Sequence, residues 1–422
     1  MRRFSLILLT FFTVSAYSQP LDKLSLGEAF SIAEQYYPLW QQKDLIKENN
    51  LLGQQILSNN YLPQLSLSAQ ATYQSEVTKM PISIPGFTVA SASKDQYKVV
   101  AELNQLLFDG GVTKQQKELL TLNEKVDQQK TSVELYKLKE RIALVYTNIL
   151  FFNEQLKQIS LVQADISIGI KRVESQIANG VSFKSNLYML QAELMKAKQK
   201  GIELTAAKKG WVNALSLYLG KELSANIQLE IPVVAIADAG ANDIARPEID
   251  LFNQQKLQVS QQNKLIGAKN LPKASLFGQG GYGRPGLNVL KNEFGFYYIG
   301  GVKLNWSLSN LYSKKKEQNQ VAIAGKLVDL QKETFLLQTN VQLTQQRAEI
   351  EKLVQLIDAD KEIISLRTAV TTAAKAQLEN GVITASDYLR EVNAEDQAKQ
   401  SLIAHQLQLL QAKINYQIIL GK

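Results

Sequence analysis

Residues 60–73 read NYLPQLSLSAQATY, and residues 269–282 read KNLPKASLFGQGGY. Set 209 positions apart, Leu62, Pro63, Ser66, Leu67, Gln70 and Tyr73 meet identical residues at Leu271, Pro272, Ser275, Leu276, Gln279 and Tyr282. The first copy alternates strictly. Leu65, Leu67, Ala69, Ala71 and Tyr73 share one face of an extended chain, and Gln64, Ser66, Ser68, Gln70 and Thr72 share the other, which is the period of a β-strand. An apolar face backed by a hydrated one is the pattern of a strand with lipid outside and a wet lumen inside. A soluble sandwich with one buried face gives the same alternation, so the surroundings of the strand have to decide.

Those surroundings repeat as well. Pro38 meets Pro247 at the same shift. Further along the shift becomes 201: Leu103-Asn104 meets Leu304-Asn305, Asn179-Gly180-Val181 meets Asn380-Gly381-Val382, and Leu219-Gly220-Lys221 meets Leu420-Gly421-Lys422. The change falls between Tyr73 and Leu103, so the first copy carries a longer loop there. A period of about 200 residues is too long for a solenoid unit and reads as a duplicated half-molecule. The expected organisation is a signal peptide at 1–18, a first repeat at 19–220, a link at 221–246 and a second repeat at 247–422. Each repeat runs helix, strand pair, very long helix, Asn-Gly turn, return helix. In the first copy these are a helix from about Ser25 to Ser58, strands 62–75 and 96–108, a long helix 112–178 and a return helix 184–219. In the second they are a helix from Pro247 to about Lys269, strands 271–283 and 295–308, a long helix 312–379 and a return helix 384–420. Within the link, Ile227 to Val234 is expected to form one extra strand.

The long helices carry the helical period. Ile142, Val145, Ile149, Phe152, Leu156 and Ile159 step by three and four, as do Ile166, Ile170, Val173 and Ile177. The stripe is narrow and its flanks are Gln, Lys, Glu and Asn, a coiled-coil seam in place of a globular core. At 1.5 Å per residue such a helix is a rod of roughly 100 Å, which buries its stripe only against its return helix and neighbouring subunits.

Bulk properties exclude other classes. Arg2 and Arg3 precede an apolar stretch, Phe4 to Val14, and Ala16-Tyr17-Ser18 supplies small residues for cleavage, the pattern of a secretory signal peptide. The 422 residues contain no cysteine and one histidine, His405, so disulfides, thiolate sites and His-based metal clusters have no material. Removal of residues 1–18 leaves 45 basic against 39 acidic residues, a net charge near +6. The charges are interspersed, which argues against nucleic acid. After the signal peptide no uncharged apolar run approaches the roughly 20 residues of a spanning helix, so a membrane location requires a closed barrel. Four strands per chain cannot close one, and eight leave room only for side chains. Three chains give twelve strands with an open lumen. The expected fold is mainly α with a membrane β-barrel, assembled as a homotrimer.

The repeat, the order of elements and several motifs resemble the TolC family of outer-membrane efflux and secretion channels over essentially all of residues 22–422. Leu24-Ser25-Leu26 with Glu28-Ala29 resembles the family's first helix, and Leu62-Pro63 before an alternating strand its first barrel strand. Arg246-Pro247-Glu248-Ile249 resembles the start of its second half, and the two Asn-Gly-Val turns its helix reversals at the far tip. The resemblance implies a trimeric twelve-stranded barrel continued by a periplasmic helical tunnel. It also implies a tip opened by a docked periplasmic adaptor, itself coupled to an inner-membrane transporter.

The same resemblance places the candidate sites. Asn179, Gly180, Val181, Ser182, Ser185, Asn380, Gly381, Val382 and Ser386 are candidates for adaptor docking. Asp387 occupies the first of two positions where the family carries a carboxylate ring at the constriction. Arg390 occupies the second, Ile383 replaces a gating arginine, and Asn186 is the neutral counterpart of Asp387 in the first repeat. Independently of any family, strand parity makes Lys98, Glu102, Lys303 and Asn305 candidates for the lumen. Gly278, Gly280 and Gly283 spell GxGxxG but lie inside a strand and lead to Arg284-Pro285-Gly286, so they serve curvature and not a dinucleotide. No catalytic, cofactor or metal residues are assigned, and the chain is not expected to be an enzyme. The expected function is the exit duct of a tripartite efflux pump or type I secretion system. The alternative is a non-conducting periplasmic coiled-coil tether, which has no use for four strands with aromatics on one face.

Overall fold

The computed structural model describes residues 21–78, 93–235 and 244–422. The expected signal peptide lies outside them, as does most of the longer loop of the first repeat. The order of elements is β1 (Leu21–Leu24), α1 (Leu26–Tyr36), α2 (Leu39–Ser58), β2 (Gln64–Tyr73), β3 (Asp95–Phe108), α3 (Val112–Ala178), α4 (Lys184–Leu219), β4 (Leu223–Leu229), α5 (Pro247–Lys269), β5 (Lys273–Arg284), β6 (Gly295–Asn305), α6 (Asn310–Glu379) and α7 (Ala385–Leu420). Two compact units divide the chain, and each repeat contributes to both.

One unit comprises residues 41–133 and 247–336 and holds an antiparallel sheet in the order β2-β3-β5-β6. The hairpins β2–β3 and β5–β6 pair through β3 and β5, with Glu102 opposite Gln279 and Lys98 opposite Gly283. On β6, Lys303 sits opposite Ser275 and Asn305 opposite Lys273. The glycines Gly278, Gly280 and Gly283 all lie within β5. The nearby Gly281 makes room for the ring of Tyr297, where any Cβ would collide with it.

The other unit comprises residues up to Trp40, 134–246 and 337–422. Its core joins α1, α3, α4, α7 and the β1–β4 pair through Leu24, Ala29, Ile142, Tyr146, Ile149, Leu215, Leu219 and Ile227. Beyond this core α3 and α4 zip together. Ile159, Ile166 and Val173 step by seven along α3, and Leu190, Ala197 and Leu204 do so along α4, the heptad seam of a coiled coil.

The structure corrects three expectations. The helix expected from Ser25 to Ser58 is two helices, broken at Pro38. Tyr37 is extended, at ψ 131°, because the proline ring disfavours the helical region for the residue before it. The extra strand forms at Leu223–Leu229 and not at 227–234. It pairs in parallel with β1, a strand not foreseen. Both ends of β2 and β5, the start of β3, the end of β6 and the starts of α6 and α7 shift by one to three residues. The last strand stops at Asn305, and α6 already begins at Asn310.

Candidate functional site

Two regions carry the candidate residues, the helix turns in one unit and the sheet in the other. At the first turn, α3 ends in a paired hydrogen-bond motif: Val181 N donates to Gln176 O (2.9 Å) and Gly180 N to Ile177 O (3.0 Å). The second turn repeats it, from Val382 N to Gln377 O (2.8 Å) and Gly381 N to Leu378 O (3.1 Å). This is a Schellman closure, which requires a left-handed residue after the helix. Gly180 at φ 75° and Gly381 at φ 70° supply it. Asn179 and Asn380 precede them, each just past the last helical residue. Val181, Phe183 and Val382 are 74%, 78% and 70% exposed, so each turn presents apolar side chains to solvent.

The two return helices start differently. Thr384 caps α7. Its hydroxyl accepts from Asp387 N (3.2 Å), while Asp387 Oδ2 accepts from Thr384 N (3.3 Å) and the Thr384 hydroxyl (2.7 Å). This reciprocal box satisfies the Thr384 and Asp387 amides with side chains, whereas at the first turn the corresponding Asn186 amide donates to the backbone oxygen of Phe183 at 3.1 Å. These bonds from Thr384, and the charge of Arg390 behind them, hold the Asp387 carboxyl below its ordinary range. Arg390 Nη2 stands 3.7 Å from Asp387 Oδ1, and its Nε stands 3.5 Å from Glu391 Oε1. The structure therefore brings the two gate candidates together within one chain and gives Asp387 a helix-capping role. The sequence signal for that role was the spacing Thr384-x-x-Asp387. At the first turn Phe183 stands at the cap position with no side-chain bond. Asn186 Nδ2 donates instead to Ser182 Oγ at 3.3 Å. Ser185 and Ser386 are exposed beside these starts.

Sequence reasoning missed a polar cluster where α3, α6 and α7 meet. Arg172 on α3 pairs with Glu379 on α6. Arg367 on α6 reaches Glu391 on α7 at 3.3 Å, and Thr368 Oγ1 donates to Glu395 Oε1 at 3.0 Å. Arg172, Glu379, Thr368 and Glu395 line a cleft with Asp165, Lys375 and the buried Tyr388, whose hydroxyl is pushed up by burial and then by the charges of Asp165, Glu395 and Glu379. Each residue alone reads as ordinary coiled-coil surface, so nothing local announced the cluster. His405, solitary in the sequence, meets Asp360 of α6 at 2.5 Å.

The sheet places most of its polar residues on one face and most of its exposed apolar residues on the other, with Val100, Phe277, Tyr297 and Ile299 on the polar side and Asp95, Gln105 and Arg284 on the apolar side. Directly paired residues lie on the same face of a sheet, so the register sorts both faces. One carries Leu65, Leu67, Tyr73, Val99, Leu103, Tyr282, Phe296, Tyr298, Val302 and Leu304. Of these, Phe296 and Tyr298 are 89% and 86% exposed, and Leu65 and Leu67 are 75% and 77% exposed. The other carries Gln64, Ser66, Gln70, Lys98, Glu102, Gln279, Lys303 and Asn305. All four lumen candidates thus share one face, and all are exposed. Aromatic residues gather at the hairpin end of the apolar face, with Tyr282 4.5 Å from Phe296 and 5.6 Å from Phe294 between ring centroids. Arg284 lies over Phe294 and pairs with Asp95 there. At the helix end stand Tyr61, Trp306 and Tyr312. No helix among the described residues is long and apolar enough to cross a membrane.

A four-stranded sheet with an exposed apolar face, fed by helix pairs that reverse at glycine turns, is the fold of outer-membrane channel proteins. No protein-family model matches the chain, and no curated protein resembles it in sequence. Solved structures do match. The outer membrane protein VceC from Vibrio cholerae superposes with a TM-score of 0.65 at 14% identity, over 94% of this chain and 96% of its own. The Campylobacter jejuni outer membrane channel CmeC gives 0.64 at 12% identity, over 100% and 94%. The open state of the Neisseria gonorrhoeae MtrE outer membrane channel gives 0.65 at 17%, over 94% and 88%. At such identities what is shared is the fold, and it is shared from end to end.

Proposed function

We propose that the chain is a subunit of a TolC-type export channel in the outer membrane. Three copies close their sheets into a twelve-stranded barrel, and the helices continue it as a tunnel in the periplasm. A periplasmic adaptor docks at the turns around Gly180 and Gly381 and couples the duct to an inner-membrane transporter. The assembly is the exit duct of a tripartite efflux pump or type I secretion system. The duct itself performs no chemistry.

One observation carries this reading: the sheet exposes a continuous apolar face with aromatic residues at both ends, opposite a polar one. An exposed apolar face of this kind marks a surface that a membrane or another protein covers. The ten residues of β2, at about 3.3 Å each and a tilt of about 40°, rise roughly 25 Å, the height of the apolar band of an outer-membrane barrel. The outer edges of β2 and β6 have no strand beside them among the described residues. Open edges are not tolerated in lipid, and only closure with further copies removes them. A tether leaves both features without a purpose.

At the tip, Asp387 and Arg390 of three copies form the constriction, held shut by ion pairs, with Asn186 neutral beside them. The experiment is conductance of the purified protein in a planar bilayer, for the wild type and for a variant carrying Asp387→Ala and Arg390→Ala. Channels that appear or enlarge in the variant support the duct. Silence in both removes it.

A further inference from the structure

The charges of the sheet are distributed unevenly between its faces. Its four strands contain six charged residues: Asp95, Lys98, Glu102, Lys273, Arg284 and Lys303. Asp95 and Arg284 lie on the apolar face at its hairpin end, where they pair with each other. The remaining four all lie on the polar face. There Lys98, Lys273 and Lys303 stand against Glu102, and all four are exposed. Among the described residues none of the four has an ion-pair partner.

The register also fixes where the lysines sit. Lys273 lies opposite Asn305, and Lys303 lies opposite Ser275, so the two lysines are diagonal neighbours near the helix end of the sheet. Diagonal pairs are separated by about 7–8 Å, and like charges held that close persist only where water solvates them. Lys98 stands nearer the hairpin end, opposite Gly283, whose missing side chain leaves its stem uncrowded on that side. At the tip, by contrast, each Asp387 has Arg390 beside it, so carboxylate and guanidinium offset one another.

We infer that the barrel lumen is electropositive and favours anionic solutes, those bearing carboxylate, sulfonate or phosphate groups. The inference rests on the barrel proposed above, in which the polar face lines the lumen and each lysine becomes a ring of three. Lysine rings select anions as carboxylate rings select cations. A lumen potential of only about 1 kT enriches a monovalent anion over a cation by roughly sevenfold. The field reaches across about 10 Å at 0.1 M salt and about 3 Å at 1 M, so the preference belongs to low ionic strength.

The chain has no cysteine, which permits a test independent of whether the tip is open. A Ser275→Cys variant in liposomes is treated from the aqueous side with a sulfonate-bearing and a trimethylammonium-bearing methanethiosulfonate reagent. Each rate is divided by that reagent's rate on a free small thiol. Nearby lysines raise thiolate content for both reagents alike, so the ratio isolates the field. The expected result is a several-fold preference for the sulfonate reagent at low salt, lost at 1 M salt. It is also lost in Ser275→Cys combined with Lys98→Gln, Lys273→Gln and Lys303→Gln. Equal normalised rates, or a preference unmoved by the three lysine substitutions, would overturn the inference and leave the barrel standing. A Ser275→Cys thiol sealed from both reagents, while a Leu67→Cys thiol on the apolar face reacts freely, would overturn the barrel and the inference together.

Discussion

Tyr146 offers the most quantitative test of the unit that holds the β1–β4 pair. It is fully buried on α3, and its hydroxyl lies 2.8 Å from Leu24 O at the end of β1 and 2.7 Å from Glu230 O just past β4. One phenol thus ties both strands of the parallel pair to α3. Tyr146→Phe keeps the ring and deletes only the hydroxyl. The loss is limited because neither carbonyl is stranded. Leu24 O still accepts the Glu230 amide at 3.1 Å, and Glu230 is an exposed residue whose carbonyl water can reach. The change therefore falls within the net range of one hydrogen bond, about 1 kcal/mol, and not at the roughly 3 kcal/mol of an orphaned buried group. Tyr146→Ala also removes the ring and costs about 3–5 kcal/mol. Amide hydrogen exchange at Glu230 reads the opening of the strand pair directly, and 1 kcal/mol there is roughly a fivefold acceleration. No acceleration in Tyr146→Phe would show that the two contacts do not hold the pair. An acceleration approaching that of Tyr146→Ala would show that the carbonyls are stranded after all.

Four further outcomes follow from the same structure. Leu190→Ala, at a fully buried seam position, costs about 2–5 kcal/mol and accelerates exchange along both α3 and α4; protection left intact would mean the seam does not hold them. Gly381→Ala meets no atom within 4 Å, so only its φ of 70° opposes it; the strain of about 1–2 kcal/mol shows as faster exchange at the Val382 amide. Asp109 accepts from Thr113 N (2.6 Å), Gly111 N (2.8 Å) and the Tyr61 hydroxyl (3.0 Å). Burial pushes its carboxyl up, but these bonds outweigh it and leave it below the ordinary value. Its contribution is therefore complete above the unfolded value of about 3.9 and lost as pH falls further; Asp109→Ala removes about 1–2 kcal/mol at neutral pH and flattens that acid limb in thermal melts. Asp387→Asn keeps a cap acceptor and deletes the charge, so exchange at Thr384 stays unchanged while bilayer selectivity shifts toward anions; unchanged selectivity would leave Asp387 as a cap alone.

The parts of the fold that were legible in the sequence are those with a local period. Strand parity sorted Lys98, Glu102, Lys303 and Asn305 onto one face without any register, because side chains alternate whatever the partner strand. The bounds of α3 and α4 followed from the seam and from Gly180 and Gly220. What escaped notice depends on contacts distant in sequence. The β1–β4 pair joins Leu21 to Leu223, and neither short strand alternates in a way that declares a partner. The Arg172–Glu379 pair spans 207 positions between residues that each resemble solvated helix surface. The break at Pro38 was a local signal read too weakly. Its counterpart Pro247 opens a helix, where a missing amide costs nothing, whereas Pro38 falls within a stretch whose helical pattern continues on both sides.

The duplication gives the two turns a common ancestry of form and different chemistry. At a shift of 201 positions Thr384 corresponds to Phe183 and Asp387 to Asn186. The second turn therefore has a charged, self-satisfied helix start, with Arg390 drawn to it. The first has an uncapped start and a phenylalanine that is 78% exposed. A helix start without a side-chain cap and an exposed aromatic side chain both gain from another protein surface, which covers the ring. A capped start with an internal ion pair gains little from such a surface and responds instead to charge near it. The tip that we propose thus divides its labour between the repeats. We propose that the turn around Gly180 provides most of the apolar hold for a docking partner, and that the turn around Gly381 adds the charged closure that docking displaces.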